Sequence, residues 1–183
     1  MTTGIAPRYR IENALPEHLR SLGAIERAAA RIFPPGRIPE DRLDDTVPLS
    51  MLEEAVGLGA LFVALDSGAP GARQTPQPVG YALLRFVDGH ALLAQIDVHP
   101  AHGRQGLGTA LVKKVATAAR QNGYDALYLT TFETIAWNAP FYAKLGFTAL
   151  RAEDEPAFLR AILAEERSAE LADRIGMRLL LQY

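Results

Sequence analysis

Between an apolar run at Ala91 to Val98 and an amphipathic pattern that starts near Leu107, the chain places three glycines, Gly103, Gly106 and Gly108, within six residues. A strand that must turn at once into a helix needs backbone freedom, and glycine supplies it. Successive N–H groups then turn into one concavity, to which the new helix adds its unpaired donors and partial positive charge. The expectation is an anion site suited to phosphate. Neither G-x-G-x-x-G nor G-x-x-x-x-G-K-[ST] fits this spacing, and no Lys follows the last glycine, which argues against dinucleotide and nucleotide loops. A glycine-rich structural turn is the alternative that the loop alone leaves open.

Size and charge narrow the field further. A chain of 183 residues suggests one domain, 1–183, with room for a proper core. A net charge of -2 gives no electrostatic reason to expect nucleic acid or an anionic membrane as partner. The chain has no cysteine, which excludes disulfides, thiolate metal sites and a thiol nucleophile, and no metal site is expected. No apolar run reaches the roughly 18 residues of a membrane span, and the first residues lack the apolar stretch of a signal peptide, so the cytoplasm is the expected location.

Taken in order, Tyr9 to Glu12 reads as a first strand and Pro16 to about Arg31 as a helix, with Leu19, Leu22, Ile25, Ala28, Ala29 and Ile32 recurring at three- and four-residue steps. Residues 33–45, with three prolines and a glycine, read as a surface loop. Leu49 to Leu58 reads as a short helix capped by Ser50, with Glu53 completing a capping box. Ala60 to Leu65 and Val79 to Val87 form a hairpin with a long connection over 66–78, and Asp88-Gly89 turns the chain into the strand at Ala91 to Val98. In the helix after the glycines, Leu107, Leu111, Val115 and Ala118 share a face, and Gly123 suits its C-terminal cap. Ala126 to Thr130 is a strand, Trp137 to Leu145 a short helix, Phe147 to Leu150 extended, Pro156 to Ala172 a charged helix and Ile175 to Leu180 a final strand. The apolar terminus Met177 to Leu181 suits either a sheet extended across a homodimer or an internal strand.

Two motifs occur in this order: V-x-P-x-x-G-x-x-G-x-G-x-x-L, carried by Val98, Pro100, Gly103, Gly106, Gly108 and Leu111, and W-N-x-P-F-Y-x-K-L-G-F, running from Trp137 to Phe147. Together they resemble the acyl-CoA core of the GCN5-related N-acetyltransferase (GNAT) family, over about Leu83 to Leu150. The resemblance implies an α+β fold, three-layer α/β/α, whose mixed, mostly antiparallel sheet splays in the middle and is flanked by helices. It implies acetyl-CoA as cosubstrate, with the pyrophosphate on main-chain amides of Gly103, Arg104, Gln105, Gly106, Leu107 and Gly108 and with Thr109 beside them. The pantetheine arm pairs like an extra strand beside Ile96, Asp97 and Val98, and Asn138, Phe141 and Tyr142 complete the cofactor contacts. Gly103 departs from the Gln or Arg usual in the family, a change of little cost where the contacts are main-chain.

In the family a Tyr at position 142 protonates the departing thiolate, so Tyr142 is the expected catalytic acid. The alternative is a core aromatic. Asn138, directly before Ala139-Pro140, is equally suited to capping its own helix and to touching cofactor. An acceptor amine must lose a proton before attack, which at neutral pH costs about 4.6 kcal/mol for an ordinary primary amine. Related sequences often carry Glu where this chain has Gln95, which cannot take that proton. Asp97, on the same strand face, His90, His99, His102 and Glu133 are the replacement candidates, and none is singled out. Glu40, Asp41, Asp44 and Asp45, interleaved with Arg37 and Arg42, read as a solvated loop, with an acceptor-facing acidic patch as the alternative. The implied reaction is acetyl transfer to a primary amine of a small molecule or peptide by direct attack in a ternary complex. A non-catalytic acyl-CoA-binding or sensing module is the rival.

Overall fold

The computed structural model describes residues 5–68 and 75–181. Its strands are β1 (Tyr9–Asn13), β2 (Leu61–Asp66), β3 (Gln77–Val87), β4 (His90–Val98), β5 (Ala126–Phe132), β6 (Thr148–Ala149) and β7 (Arg174–Leu180). Its helices are α1 (Leu19–Ala30), α2 (Leu49–Gly57), α3 (Leu107–Gln121), α4 (Ala139–Lys144) and α5 (Ala157–Ser168). The strands form one open sheet in the order β1-β2-β3-β4-β5-β7-β6. Every neighbouring pair is antiparallel except β4 and β5, which run parallel.

Both faces of the sheet are covered, which is why β2 reads as an unbroken apolar run rather than an alternating one. On one face Leu107, Leu111, Val112, Val115 and Ala119 of α3 pack against Phe62, Ala82, Leu84 and Leu127. On the other, Leu22 and Ile25 of α1 and Leu52 and Ala55 of α2 pack against Leu61, Val63, Tyr81 and Leu83. Helix α5 contributes Phe158, Leu159 and Leu163 against Leu92 and Tyr128. This is the expected three-layer arrangement around a mixed, mostly antiparallel sheet.

Strands β4 and β5 pair only at Ala91 with Leu127 and Leu92 with Tyr128. Both continue, to Val98 and Phe132, without further pairing, so the sheet opens between them. A bulge helps to aim β4 into this opening. Leu83 pairs with Gln95 and Leu84 with Leu93, leaving Ala94 as the extra residue. Ala91 and Leu93 pack on the α3 side and so do Ile96 and Val98, which an uninterrupted two-residue period would not allow. Gln95 and Asp97 thereby turn toward α1.

Local details differ from the sequence reading in instructive ways. Ser50 does not cap α2: the helix opens at Leu49 with Pro48 at the cap position, and Pro48 carbonyl accepts from Met51 and Leu52 N–H. The buried stripe of α3 continues from Val115 to Ala119, a step of four, leaving Ala118 half-buried. Helix α4 starts at Ala139, so Trp137 stands outside it, and α5 ends at Ser168 before Glu170 takes a left-handed φ of 60°. The 33–45 loop contains a 3-10 turn at Glu40–Arg42. Part of the 66–78 connection, residues 69–74, lies outside the described residues. Asp88 and Gly89, with φ of 47° and 77°, make the tight turn from β3 to β4. Strand β7 pairs with β5 along its length and with β6 at Met177 and Arg178, and the order of the sheet ends in β1 and β6.

Gly80 on β3 lies against the end of β4, where an added Cβ would stand 2.9 Å from the Asp97 carbonyl oxygen and 3.3 Å from Val98 Cα. Both obstacles are backbone, so relief requires moving the strand. Gly80→Ala is expected to lower stability by about 1–3 kcal/mol, read as a shift of the urea midpoint. An unchanged midpoint would show that β3 and β4 have slack at this point.

Candidate active site

The loop after β4 folds as its glycines require. A 3-10 turn at Pro100–His102 follows β4, and His99 Nδ1 accepts from Ala101 N–H at 3.3 Å. Arg104 and Gly106 both take left-handed conformations, with φ of 58° and 78°. Alternation of this kind curls successive amides toward a common point. Helix α3 starts there, its first intrahelical bond running from Ala110 N–H to Gly106 carbonyl, so the N–H groups of 107–109 precede it.

These groups border a cavity of about 670 Å³, bounded also by Ile96, Val98 and Phe141. Among the residues expected to hold cofactor, Gln105 is exposed and lies outside the cavity wall, whereas Arg104, Thr109, Asn138 and Tyr142 line it. The donor-rich rim suits a pyrophosphate and the apolar floor suits an extended pantetheine, so the residues present fit the implied cosubstrate. One wall is tied to β1. Tyr9 hydroxyl and His102 Nδ1 stand 3.0 Å apart, and Asp66, paired with Arg8, stands 3.7 Å from the same nitrogen. Burial holds the His102 imidazole below its ordinary pKa, so it remains neutral at physiological pH.

A second cavity, of about 320 Å³, lies on the α1 side of the splay, between β4 and β5. Phe33, Ile96, Asp97, Asn138 and Tyr142 line both cavities and so mark where they meet. The 33–45 loop is not merely solvated. Phe33, Ile38, Arg42 and Asp45 form part of this wall, and Arg37 crosses to Asp173 at 3.1 Å and to Thr134 Oγ1 at 3.2 Å. Phe33 sits between Phe132 and Trp137, with ring centroids 5.5 and 5.9 Å away.

At the junction the titratable groups are perturbed by their surroundings. Burial pushes the Asp97 carboxyl up to about 7, opposed by the hydrogen bond that Gln95 Nε2 donates to its Oδ2 at 2.7 Å and reinforced by Glu26. Tyr142 is 7% exposed, and burial followed by the nearby Asp97 carboxylate raises its phenol, which stays protonated throughout the physiological range. Asn138 occupies the cap position of α4, yet its side chain does not cap the helix; its Nδ2 donates to Thr131 Oγ1 at 2.9 Å and its Oδ1 is buried without a partner. Of the base candidates, only Asp97 lines both cavities. His102 borders the larger cavity alone, His90 stacks on Phe158 away from both, and His99 and Glu133 line neither.

Two parts of this site escaped the sequence reading. Glu26 on α1 is 5% exposed and borders the smaller cavity, its Oε2 accepting from Val47 N–H at 2.8 Å. Its signal was a carboxylate inside the apolar stripe that runs through Leu22, Ile25 and Ala29. Arg174 is the other: it donates to Glu166 Oε1 at 2.6 Å, to Glu166 Oε2 at 3.1 Å and to Thr130 Oγ1 at 3.0 Å. Nothing in sequence links Thr130, Glu166 and Arg174, which β5, α5 and β7 bring together.

The sequence profile of the Acetyltransferase (GNAT) family matches residues 24–147. Thialysine N-epsilon-acetyltransferase from Bos taurus is 34% identical over 111 residues, a stretch covering 54% of this chain and 62% of that relative. Among solved structures, N-acetylglutamate synthase from Neisseria gonorrhoeae, complexed with coenzyme A and N-acetyl-glutamate, superposes with a TM-score of 0.70 at 17% identity, covering 96% of this chain and 35% of that one. The putative acetyltransferase yncA from Salmonella typhimurium, solved with acetyl-CoA, superposes with a TM-score of 0.66 at 21% identity over 96% of this chain and 95% of that one. At these identities the superpositions establish the fold. Among the described residues no helix is long and apolar enough to cross a membrane, and no cluster of His, Asp and Glu is arranged to hold a metal ion. The profile match over most of the chain, on a splayed sheet of this topology, makes the protein a member of the GNAT acetyltransferase family.

Proposed function

We propose that the protein is an acetyl-CoA-dependent N-acetyltransferase acting on a primary amine of a small molecule or peptide. The observation that carries this reading is the meeting of two cavities at Asp97 and Tyr142. The larger receives acetyl-CoA, with pyrophosphate on the amides around Arg104 to Thr109 and pantetheine beside Ile96, Asp97 and Val98. The smaller receives the acceptor through the splay. Their relatives' chemistry supports the assignment: one acetylates the ε-amine of thialysine by its name, and solved neighbours hold coenzyme A or acetyl-CoA.

In the proposed reaction the acceptor binds as an ammonium and gives one proton to Asp97, whose pKa near 7 lets it accept at neutral pH. The neutral nitrogen attacks the thioester carbonyl. As the tetrahedral centre collapses, the C–S bond breaks, Tyr142 hydroxyl gives its proton to the departing sulfur and the new amide releases its remaining extra proton to solvent; solvent then restores the Tyr142 proton and takes the one held by Asp97. Tyr142's raised pKa means that it enters the step fully protonated. Asn138 is held against Thr131 beside the junction, its Oδ1 buried without a partner. Holding amine and thioester together supplies roughly 7–11 kcal/mol of the acceleration. Gln95 donates to Asp97 and does not itself take a proton, which moves the base two residues along the strand.

Calorimetry with acetyl-CoA tests the cofactor assignment without any acceptor: Gly106→Glu, which adds charge and a side chain where φ is 78°, is expected to abolish binding while the far-ultraviolet spectrum is retained. Absence of binding in the wild type would overturn the reading. Tyr142→Phe is expected to lower kcat by about 10²- to 10⁴-fold with little change in acetyl-CoA affinity, measured as thiol release. For an acceptor that binds as an ammonium, kcat/KM is expected to rise through an apparent pKa near 7, because protonated Asp97 cannot accept its proton, and a fluorinated amine that is already neutral across the range is expected to lack that limb. Asp97→Asn removes that limb; a variant that keeps it would assign the proton to another group.

A further inference from the structure

Between β4 and α3 the chain keeps a curled backbone with few bonds of its own to hold it. Gly103 and Gly106 are conformationally permissive, and Arg104 is a non-glycine residue in a left-handed conformation, with φ of 58°. The loop is tied at its start, where His99 N–H donates to Val79 carbonyl at 2.8 Å, and within itself by His102 N–H to His99 carbonyl and Gly103 N–H to Pro100 carbonyl. Among the described residues, one side-chain hydrogen bond joins residues 100–108 to another strand or helix: Tyr9 hydroxyl on β1 stands 3.0 Å from His102 Nδ1. The two rings also meet edge to face, with centroids 5.9 Å apart. Behind them Arg8 Nε donates to Asp66 Oδ1 at 2.8 Å, and its guanidinium lies over the Tyr9 ring, 5.0 Å from the centroid. Asp66 Oδ2 is 3.7 Å from His102 Nδ1, and its pairing with Arg8 cancels a charge that would oppose a phosphate. Ile5 stands beside Gly106, where an added Cβ would lie 3.7 Å from its Cγ2.

We propose that Tyr9 and His102 are positioning residues for acetyl-CoA: the bond between them holds the loop in the conformation whose amides converge on the pyrophosphate, so β1 sets the affinity for the phosphate end of the cosubstrate. This role rests on the placement of acetyl-CoA in the larger cavity, which His102 borders. An unbraced loop spends part of its time with its amides dispersed, and the apparent dissociation constant rises in inverse proportion to the competent fraction. The pantetheine arm lies against Ile96, Val98 and Phe141, which the bond does not touch, so the effect is confined to ligands that carry the phosphates. Tyr9 lies outside residues 24–147, the stretch matched by the family profile, so the brace comes from this chain's own first strand.

The test measures dissociation constants for acetyl-CoA by calorimetry and for S-acetylpantetheine, which has the same thioester and arm without the phosphates, by displacement of acetyl-CoA. Tyr9→Phe removes the hydroxyl and keeps the ring. Its acetyl-CoA affinity is expected to fall about 3- to 10-fold, the worth of one hydrogen bond of ordinary strength, with S-acetylpantetheine affinity unchanged. His102→Ala breaks the same bond from the loop side, outside the buried core, and is expected to cause a similar fall, with the double variant no weaker than either alone. His102→Asn, whose amide can stand near the Nδ1 position, is expected to recover most of the affinity. Unchanged acetyl-CoA affinity in Tyr9→Phe, additive losses in the double variant, or an equal loss for both ligands would overturn the inference and leave the cofactor assignment standing. Absence of acetyl-CoA binding in the wild type would overturn both.

Discussion

Strands β4 and β5 hydrogen-bond at only two residue pairs and then part, and the remaining architecture either creates that gap or uses it. Parallel neighbours this close together normally continue pairing, since each unpaired buried amide is costly. Here the freed edge of β4 is left along Ile96 to Val98, opposite the free edge of β5, and both cavities open onto it. The bulge at Ala94 is the second half of the device. By adding one residue to β4 it sends Gln95 and Asp97 toward α1 and keeps Ile96 and Val98 on the α3 side, so a single strand furnishes polar chemistry to one cavity and apolar floor to the other.

The gap stays open because its two sides are braced separately. On the side of the larger cavity α3 is anchored through Leu107 and Leu111, both essentially inaccessible to solvent, and the loop before it is tied to β1 through Tyr9 and His102. On the side of the smaller cavity Arg174 binds Glu166 and Thr130 and lies over the Phe132 ring, with its guanidinium carbon 4.8 Å from the centroid. That network joins β5, α5 and β7 into one wall. Its charges cancel internally, so it shapes the smaller cavity, which Glu26 and Asp97 also border.

How much of this was legible in the chain depended on the range of the interactions involved. The strand, glycine loop and helix from Ala91 to Gln121 were readable because glycine placement and apolar periodicity are local properties. The short helix bearing Tyr142 was readable for the same reason, although its first residue was not: Trp137 and Asn138 precede it, and Asn138 turned to Thr131 on β5 instead of capping. Ser50 failed as a cap because Pro48 already occupied that position. Bulges leave little trace in sequence, so Gln95 and Asp97 were placed together correctly while their relation to Leu93 was not visible.

The sequence by itself determined most of the secondary elements, the glycine loop and the pair of motifs that resemble the family, since each is written in residues adjacent along the chain. Only the tertiary structure decided which carboxyl groups border the cavities. Asp97 was one of five base candidates until the splay put it alone on both cavities, and Glu26 was an acid in an apolar helix stripe until β3, β4 and the loop at Val47 closed around it. A carboxyl group's affinity for protons and cations is set by what surrounds it in space, and those neighbours come from segments far apart in the chain.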